Sequence, residues 1–181
     1  RRTWAEAGEE VSYARLAAEA EEAPPFAAVL DPDEPSFLTP GDMPARIAAF
    51  CRKTGQPPPE SRGAVVRSVL EALALQYRRV LARLASLTGT TPDTLHIVGG
   101  GTRNRLLNRF AAEATGTPVI TGPVEATAAG NILSQMIALG DLGGLEEGRA
   151  LVRASFETER YEPEAPDAWD EAYTRFLEVA K

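Results

Sequence analysis

Cysteine and histidine are almost absent, one of each in 181 residues. A single cysteine excludes an intrachain disulfide framework, and with a single histidine there is no Cys/His zinc site of standard ligand count. Positive charge is also short: 19 Lys and Arg stand against 26 Asp and Glu, a net charge of −7. A chain so charged repels phosphate backbones at long range, so nucleic acid is not an expected partner. No apolar run nears the ~18 residues that a membrane span needs, and the opening Arg-Arg-Thr-Trp-Ala-Glu carries no apolar signal core. The expectation is a soluble, cytoplasmic domain with no membrane partner. It opens on Arg1 and not on methionine, which we read as a piece of something longer.

What is present is enough to fold. Hydrophobic residues make up 44% of the chain, and its length is long for one domain and short for two. Ser12 can cap a short helix bearing Leu16, Ala17 and Ala20. Pro24, Pro25, Pro32, Pro35, Pro40 and Pro44 then forbid long helix in a stretch holding Phe26, Val29, Leu30, Phe37 and Leu38. An ordered extended loop packed on the rest is expected there. Asp42 caps a helix that tolerates Pro44 in its first turn, gathers Ile47, Phe50 and Cys51 on one face, and stops at Gly55. After Pro57-Pro58-Pro59, Ser61 opens the longest helix. Val66, Val69, Leu70, Leu73, Tyr77, Leu81, Leu84 and Leu87 recur every three or four residues until Gly89, a span of roughly 40 Å.

Beyond Gly89 the period changes. Thr94 to Val98 reads as a buried strand running into Gly99-Gly100-Gly101. A helix follows from about Thr102 to Thr115, with Leu106, Leu107, Phe110, Ala111 and Ala114 inward and Gly116 as its stop. Pro118-Val119-Ile120 is a second strand. Thr121-Gly122-Pro123 turns into a helix rich in small residues (Ala126, Ala128, Ala129, Gly130), suited to close approach to a sheet or another helix. The order predicts a parallel βαβ unit with a right-handed crossover. A last helix after Asp167 sets Trp169, Tyr173, Phe176, Leu177 and Ala180 on one side. No repeat of solenoid length and no low-complexity tract occurs.

The segment where chemistry could sit is Val98-Gly99-Gly100-Gly101-Thr102-Arg103-Asn104. A strand that ends in glycines and enters a helix offers backbone N–H groups with no side chains in the way, and the helix start adds partial positive charge. The Walker A loop would need Gly-Lys-Ser/Thr, which Thr102-Arg103-Asn104 does not supply. The dinucleotide fingerprint would need glycine where Asn104 stands, and an acid where the second strand ends in Ile120-Thr121-Gly122. What remains is Gly-Gly-Gly-x-x-Asn, its amide one turn into the helix and able both to donate and to accept, as the N6/N7 edge of adenine requires. A glycine triplet after a strand is also common as a plain tight turn. His96 reads as a strand-face residue, Glu125 as a carboxylate stabilised by the dipole in a helix's first turn, and Cys51 as small core.

The stretch from Leu95 to Asn108 resembles the adenosine-binding segment of the FGGY carbohydrate kinases. Phe37-Leu38-Thr39-Pro40-Gly41-Asp42-Met43, Cys51-Arg52-Lys53-Thr54-Gly55-Gln56-Pro57 and Gly122 to Asn131 look most like the branch that acts on L-rhamnulose. The long helix, from Arg67 to Arg78, fits as well. The resemblance covers nearly the whole chain. It implies an α/β fold of the ribonuclease H-like, actin-like ATPase kind, with residues 1–181 forming a single C-terminal, nucleotide-binding lobe. It implies ATP or ADP with Mg2+, and transfer of the γ-phosphoryl to a sugar hydroxyl, the 1-hydroxyl of L-rhamnulose in rhamnose catabolism, with fuculose or xylulose as alternatives. Gly99, Gly100 and Gly101 would line the nucleotide, with Gly100 closest, and Asn104 would approach the adenine. The family's aspartate base, and most of its metal and sugar site, belong to an N-terminal lobe whose sequence is not in this chain. No catalytic or metal-ligating residue is therefore expected here, and the chain alone should be catalytically silent.

Two rivals come from other classes. The same strand–glycine–helix geometry could belong to a nicotinamide-dinucleotide-binding oxidoreductase domain, against which Thr121 in place of an acid counts. The long amphipathic helix could instead mark a non-catalytic helical interaction domain.

Overall fold

The Ser61 hydroxyl accepts a hydrogen bond from the Ala64 N–H at 3.0 Å and starts the helix on which the chain is organised, α4 (Arg62–Thr88). Gly89, at φ 69°, ends it. The computed structural model describes residues 2–6, 8–165 and 167–180. Before α4 come α1 (Arg2–Glu6), α2 (Tyr13–Glu22) and α3 (Met43–Lys53). After it come β1 (Leu95–Ile97), α5 (Arg105–Thr115), β2 (Val119–Thr121), α6 (Ala126–Leu139), α7 (Leu145–Ser155), β3 (Arg160–Tyr161) and α8 (Ala168–Val179). Ser12 caps α2 through the Arg15 N–H, and Asp42 caps α3 through the Ala45 N–H, as their side-chain chemistry predicts.

The main core forms where α2, α5 and α8 meet α4. Ala20, Leu70, Leu75, Leu106, Leu107, Phe110, Trp169 and Phe176 are all buried there. Trp169 meets Phe26 edge-on, with ring centroids 4.9 Å apart, and Phe110 at 5.4 Å. Such pairs add directional stabilisation to the area they bury. Helices α2 and α4 approach so closely that a Cβ on Gly63 would lie 2.2 Å from the Glu19 carbonyl oxygen. The Arg62 guanidinium clasps the Glu19 carboxylate with two bonds, at 2.6 and 2.7 Å, beside that contact. This pairing holds the Glu19 carboxyl at about 2, well below its usual 4.5.

The proline-rich stretch is an ordered loop, as expected, and its anchors are polar. Gln56 pairs with the Val29 peptide both ways, accepting from its N–H at 2.8 Å and donating to its carbonyl at 2.9 Å. The buried Glu71 accepts from the Phe26 N–H (3.0 Å) and the Arg67 guanidinium (2.7 Å), while burial pushes its carboxyl up. Arg46 donates to the carbonyls of Ser36, Thr39 and Pro40. The family-like strings at 37–43 and 51–57 thus serve to lock this loop to α3. Ala28, Val29 and Leu30 are buried, but Leu38 is 79% exposed, against its reading as packed.

Among the described residues the sheet has three strands in the order β1-β2-β3, with β1 and β2 parallel and β2 and β3 antiparallel. The parallel βαβ unit is therefore as expected, with the second strand shifted by one residue. β1 is shorter than Thr94–Val98 and is not buried: His96 and Val98 are exposed, because β1 pairs with β2 alone. Three further apolar expectations fail in the same way, since Leu84, Leu87 and Leu177 are 46%, 82% and 49% exposed. Leu84 and Leu87 share a stripe with Leu70 and Leu73, yet the packed neighbours of α4 stop short of its last turns. Helix α6 was expected to nestle against a sheet or helix. None of its residues is buried, although Leu133 meets α7 at Gly148. Helices α1 and α7 and strand β3 had no clear signal in the sequence. β3 is two residues long, and the apolar residues of α7 crowd mainly into Ala150, Leu151 and Val152 without a clear period.

Candidate functional site

Between β1 and α5 the backbone makes a 3-10 turn, Gly99–Arg103, and α5 starts only at Arg105. The helix thus begins later than Thr102. Asn104 is its N-cap and not a residue one turn inside: Asn104 Oδ1 accepts from the Leu107 N–H at 3.1 Å. That bond takes one lone pair of Oδ1. Nδ2 makes no hydrogen bond among the described residues. An amide fixed at its oxygen end, with its NH2 free, is a rigid donor.

The three glycines have different reasons to be glycine. Gly99 sits at φ 80°, a left-handed conformation that L side chains rarely adopt, and its N–H donates to the Pro123 carbonyl at 2.9 Å. At Gly101 an added Cβ would make an ordinary 3.7 Å contact with Ile97. Gly100 has no positive φ, and a Cβ there would meet nothing within 4 Å. Among the described residues nothing calls for glycine at 100, where the bare backbone stands open.

A cavity of about 920 Å³ lies where this turn faces α1 to α4, with Gly100, Arg103, Asn104, Trp4, Ala17 and Val66 among its walls. The structure thus brings Gly100 and Asn104 together on one cavity, while Gly99 and Gly101 are not part of its wall. Arg103 is an exposed cation with no ion pair among the described residues. It and Trp4 were not singled out in the sequence. A free arginine beside the glycine run was a usable signal, whereas Trp4 lies on a helix too short to show a period.

The remaining candidates lie apart from this cavity. Glu125 is the N-cap of α6 rather than a first-turn residue, and it makes no capping bond. His96 is exposed on β1. Cys51 is fully buried, and burial raises its thiol above the usual value. Thr121, where a dinucleotide site would want an acid, is buried, and its hydroxyl accepts from the Glu159 N–H at 2.8 Å. Among the described residues no group of three or more His, Cys, Asp or Glu side chains comes together as a metal site. No helix there is long and apolar enough to cross a membrane.

Solved structures share this fold. Xylulose kinase from Rhodospirillum rubrum superposes with a TM-score of 0.64 at 25% identity, over 92% of this chain and 33% of that one. Plasmodium falciparum glycerol kinase with ADP gives a TM-score of 0.63 at 16% identity over the same 92% and 33%. The fold is α/β, of the actin-like ATPase class. A family model described as the C-terminal domain of the FGGY family of carbohydrate kinases matches residues 1–139, and the chain belongs to that family. Rhamnulokinase from Bacteroides thetaiotaomicron is 44% identical over 167 residues, 92% of this chain and 34% of that protein. Rhamnulokinase from Enterococcus faecalis is 45% identical over 159 residues, 87% of this chain and 32% of that protein. The chain thus spans about a third of the length of these curated relatives.

Proposed function

We propose that residues 1–181 form one nucleotide-binding lobe of a carbohydrate kinase, and that the whole enzyme transfers the γ-phosphoryl of ATP to the 1-hydroxyl of L-rhamnulose. The observation that carries the nucleotide assignment is Gly100: a bare backbone position with open space on its Cβ side, sharing a cavity with a capped asparagine whose NH2 is free. Gly100 would accept the nucleotide against its main chain, and Asn104 would donate from Nδ2 to a ring nitrogen of the adenine. A fold neighbour that carries ADP supports the ligand class. The sugar rests on the rhamnulokinases, at 42–45% identity. Drawing on ATP, the enzyme would work in the cytoplasm.

Phosphoryl transfer depends on positioning and on neutralising developing charge, which Mg2+ supplies when bound. On this reading the proton-accepting base, most metal ligands and the sugar contacts come from the rest of the kinase. The chain's own share is to seat and orient the nucleotide. Incubated alone with ATP and L-rhamnulose, it should form no sugar phosphate above a no-protein blank.

The dinucleotide reading loses ground because Thr121 is buried and engaged where an acid is needed. The interaction-helix reading loses ground because the first half of α4 lies inside the core. Titrating the chain with ADP and with NAD separately, while following the Asn104 side-chain NH2 resonances, tests all three. Shifts with ADP are expected. Shifts with NAD alone would remove the kinase reading, and shifts with neither would restore the interaction module.

A further inference from the structure

Asn108 is fully buried on α5, one turn after Asn104, on a helix face otherwise made of Leu107, Ala111 and Ala112. Its Nδ2 donates to the Thr102 carbonyl at 2.9 Å, and its Oδ1 is buried with no partner among the described residues. Burying an amide with an orphaned acceptor is unfavourable, and a leucine would fill a similar volume without that penalty. The one hydrogen bond that the side chain makes among the described residues is to the glycine turn.

From Thr102 the bracing continues. Its hydroxyl donates to the Gly99 carbonyl at 2.8 Å, while the Asn104 N–H donates to the Gly101 carbonyl at 3.0 Å. The backbone is therefore held on both sides of Gly100, with Asn108 as the buried post and Thr102 as the strut. Neither side chain lies on the cavity wall, so neither is placed to touch a ligand there.

We propose that Asn108 is a positioning residue: through the Thr102 carbonyl, and with the Thr102 hydroxyl, it fixes the Gly99–Arg103 turn in the shape that receives the nucleotide. This rests on the nucleotide reading of Gly100 and Asn104. A site held in place by groups behind it loses affinity when they are removed, although no direct contact is lost.

The test uses the full-length kinase that carries this chain, with calorimetric Kd values for ADP and for the sugar. Gly100→Val is the control: if it leaves ADP binding intact, the nucleotide reading itself fails. With that control behaving, Asn108→Leu should weaken ADP binding about tenfold, leave the sugar Kd within twofold, and keep or raise Tm. Thr102→Val, which removes only the strut, should weaken ADP binding about threefold with Tm unchanged. It decides the matter if Asn108→Leu fails to fold. Unchanged ADP binding in the folded variants, or equal losses for ADP and sugar, would overturn the proposal while leaving the Gly100 assignment standing.

Discussion

Helices α5 and α6 follow the two parallel strands in turn, and from the sequence both are expected to pack closely. Both are rich in apolar and small residues, and both end at a glycine in the left-handed conformation. Yet eight of the eleven residues of α5 are buried, and none of the fourteen in α6. Ile132 and Leu139, seven positions apart on α6, are 59% and 79% exposed. The partners of α5 are α4 and α8, both within the chain; among the described residues α6 meets only α7 at any length. An apolar face says that a helix suits a cover. It does not say that the cover lies in the same 181 residues.

The contrast is breakable by truncating one side chain on each helix. Phe110→Ala on α5 empties a site beside Trp169 and should cost ~3–5 kcal/mol in urea unfolding. Ile132→Ala on α6 should stay within ~0.5 kcal/mol, as exposed substitutions usually do. Similar losses at the two sites would mean that α6 is covered after all. A step smaller, Gly63→Ala drives a methyl into the Glu19 carbonyl and should cost ~1–3 kcal/mol, sharpening the picture of α2 and α4 as a closed contact.

The acid limb adds a weaker test of the same closed side. Glu19, held at about 2 against an ordinary 4.5, binds fewer protons folded than unfolded in that interval. Its contribution is complete above 4.5 and lost as pH falls toward 2. The stability gap between the parent chain and Glu19→Gln should narrow over that window; a gap unchanged by acid would contradict the Arg62 clasp. Glu71, raised by burial, works with the opposite sign: between its ordinary and raised values the folded chain binds more protons, so its linked share grows as pH falls. The smallest effect is expected for Leu139→Gln, which should leave Tm unchanged.

The well-read parts of the sequence are those whose cause is local. Ser12, Asp42 and Ser61 cap their helices through their own side chains, and Gly89 and Gly116 end theirs by left-handed φ; each can be read from a few residues. The parallel pairing of β1 with β2 followed from the lengths between them. Leu84, Leu87 and Leu177 were misread because periodicity marks a face and not where the neighbouring element stops. Asn104 was placed inside the helix because the turn before it is 3-10, a difference of three residues that no pattern marks. In the site, the glycine run and asparagine could be picked out, and the resemblance singled out Gly100; that Gly99 and Gly101 stay off the cavity wall could not be read. That depends on φ at Gly99 and on how Ile97 packs against Gly101, both settled by the fold around them.

The most direct measurement is a crystal structure of the full-length kinase with ADP bound. Adenine density should lie in the cavity over Gly100, with Asn104 Nδ2 within hydrogen-bond reach of a ring nitrogen. A nucleotide seated elsewhere, with Gly100 and Asn104 left facing solvent, would contradict the account.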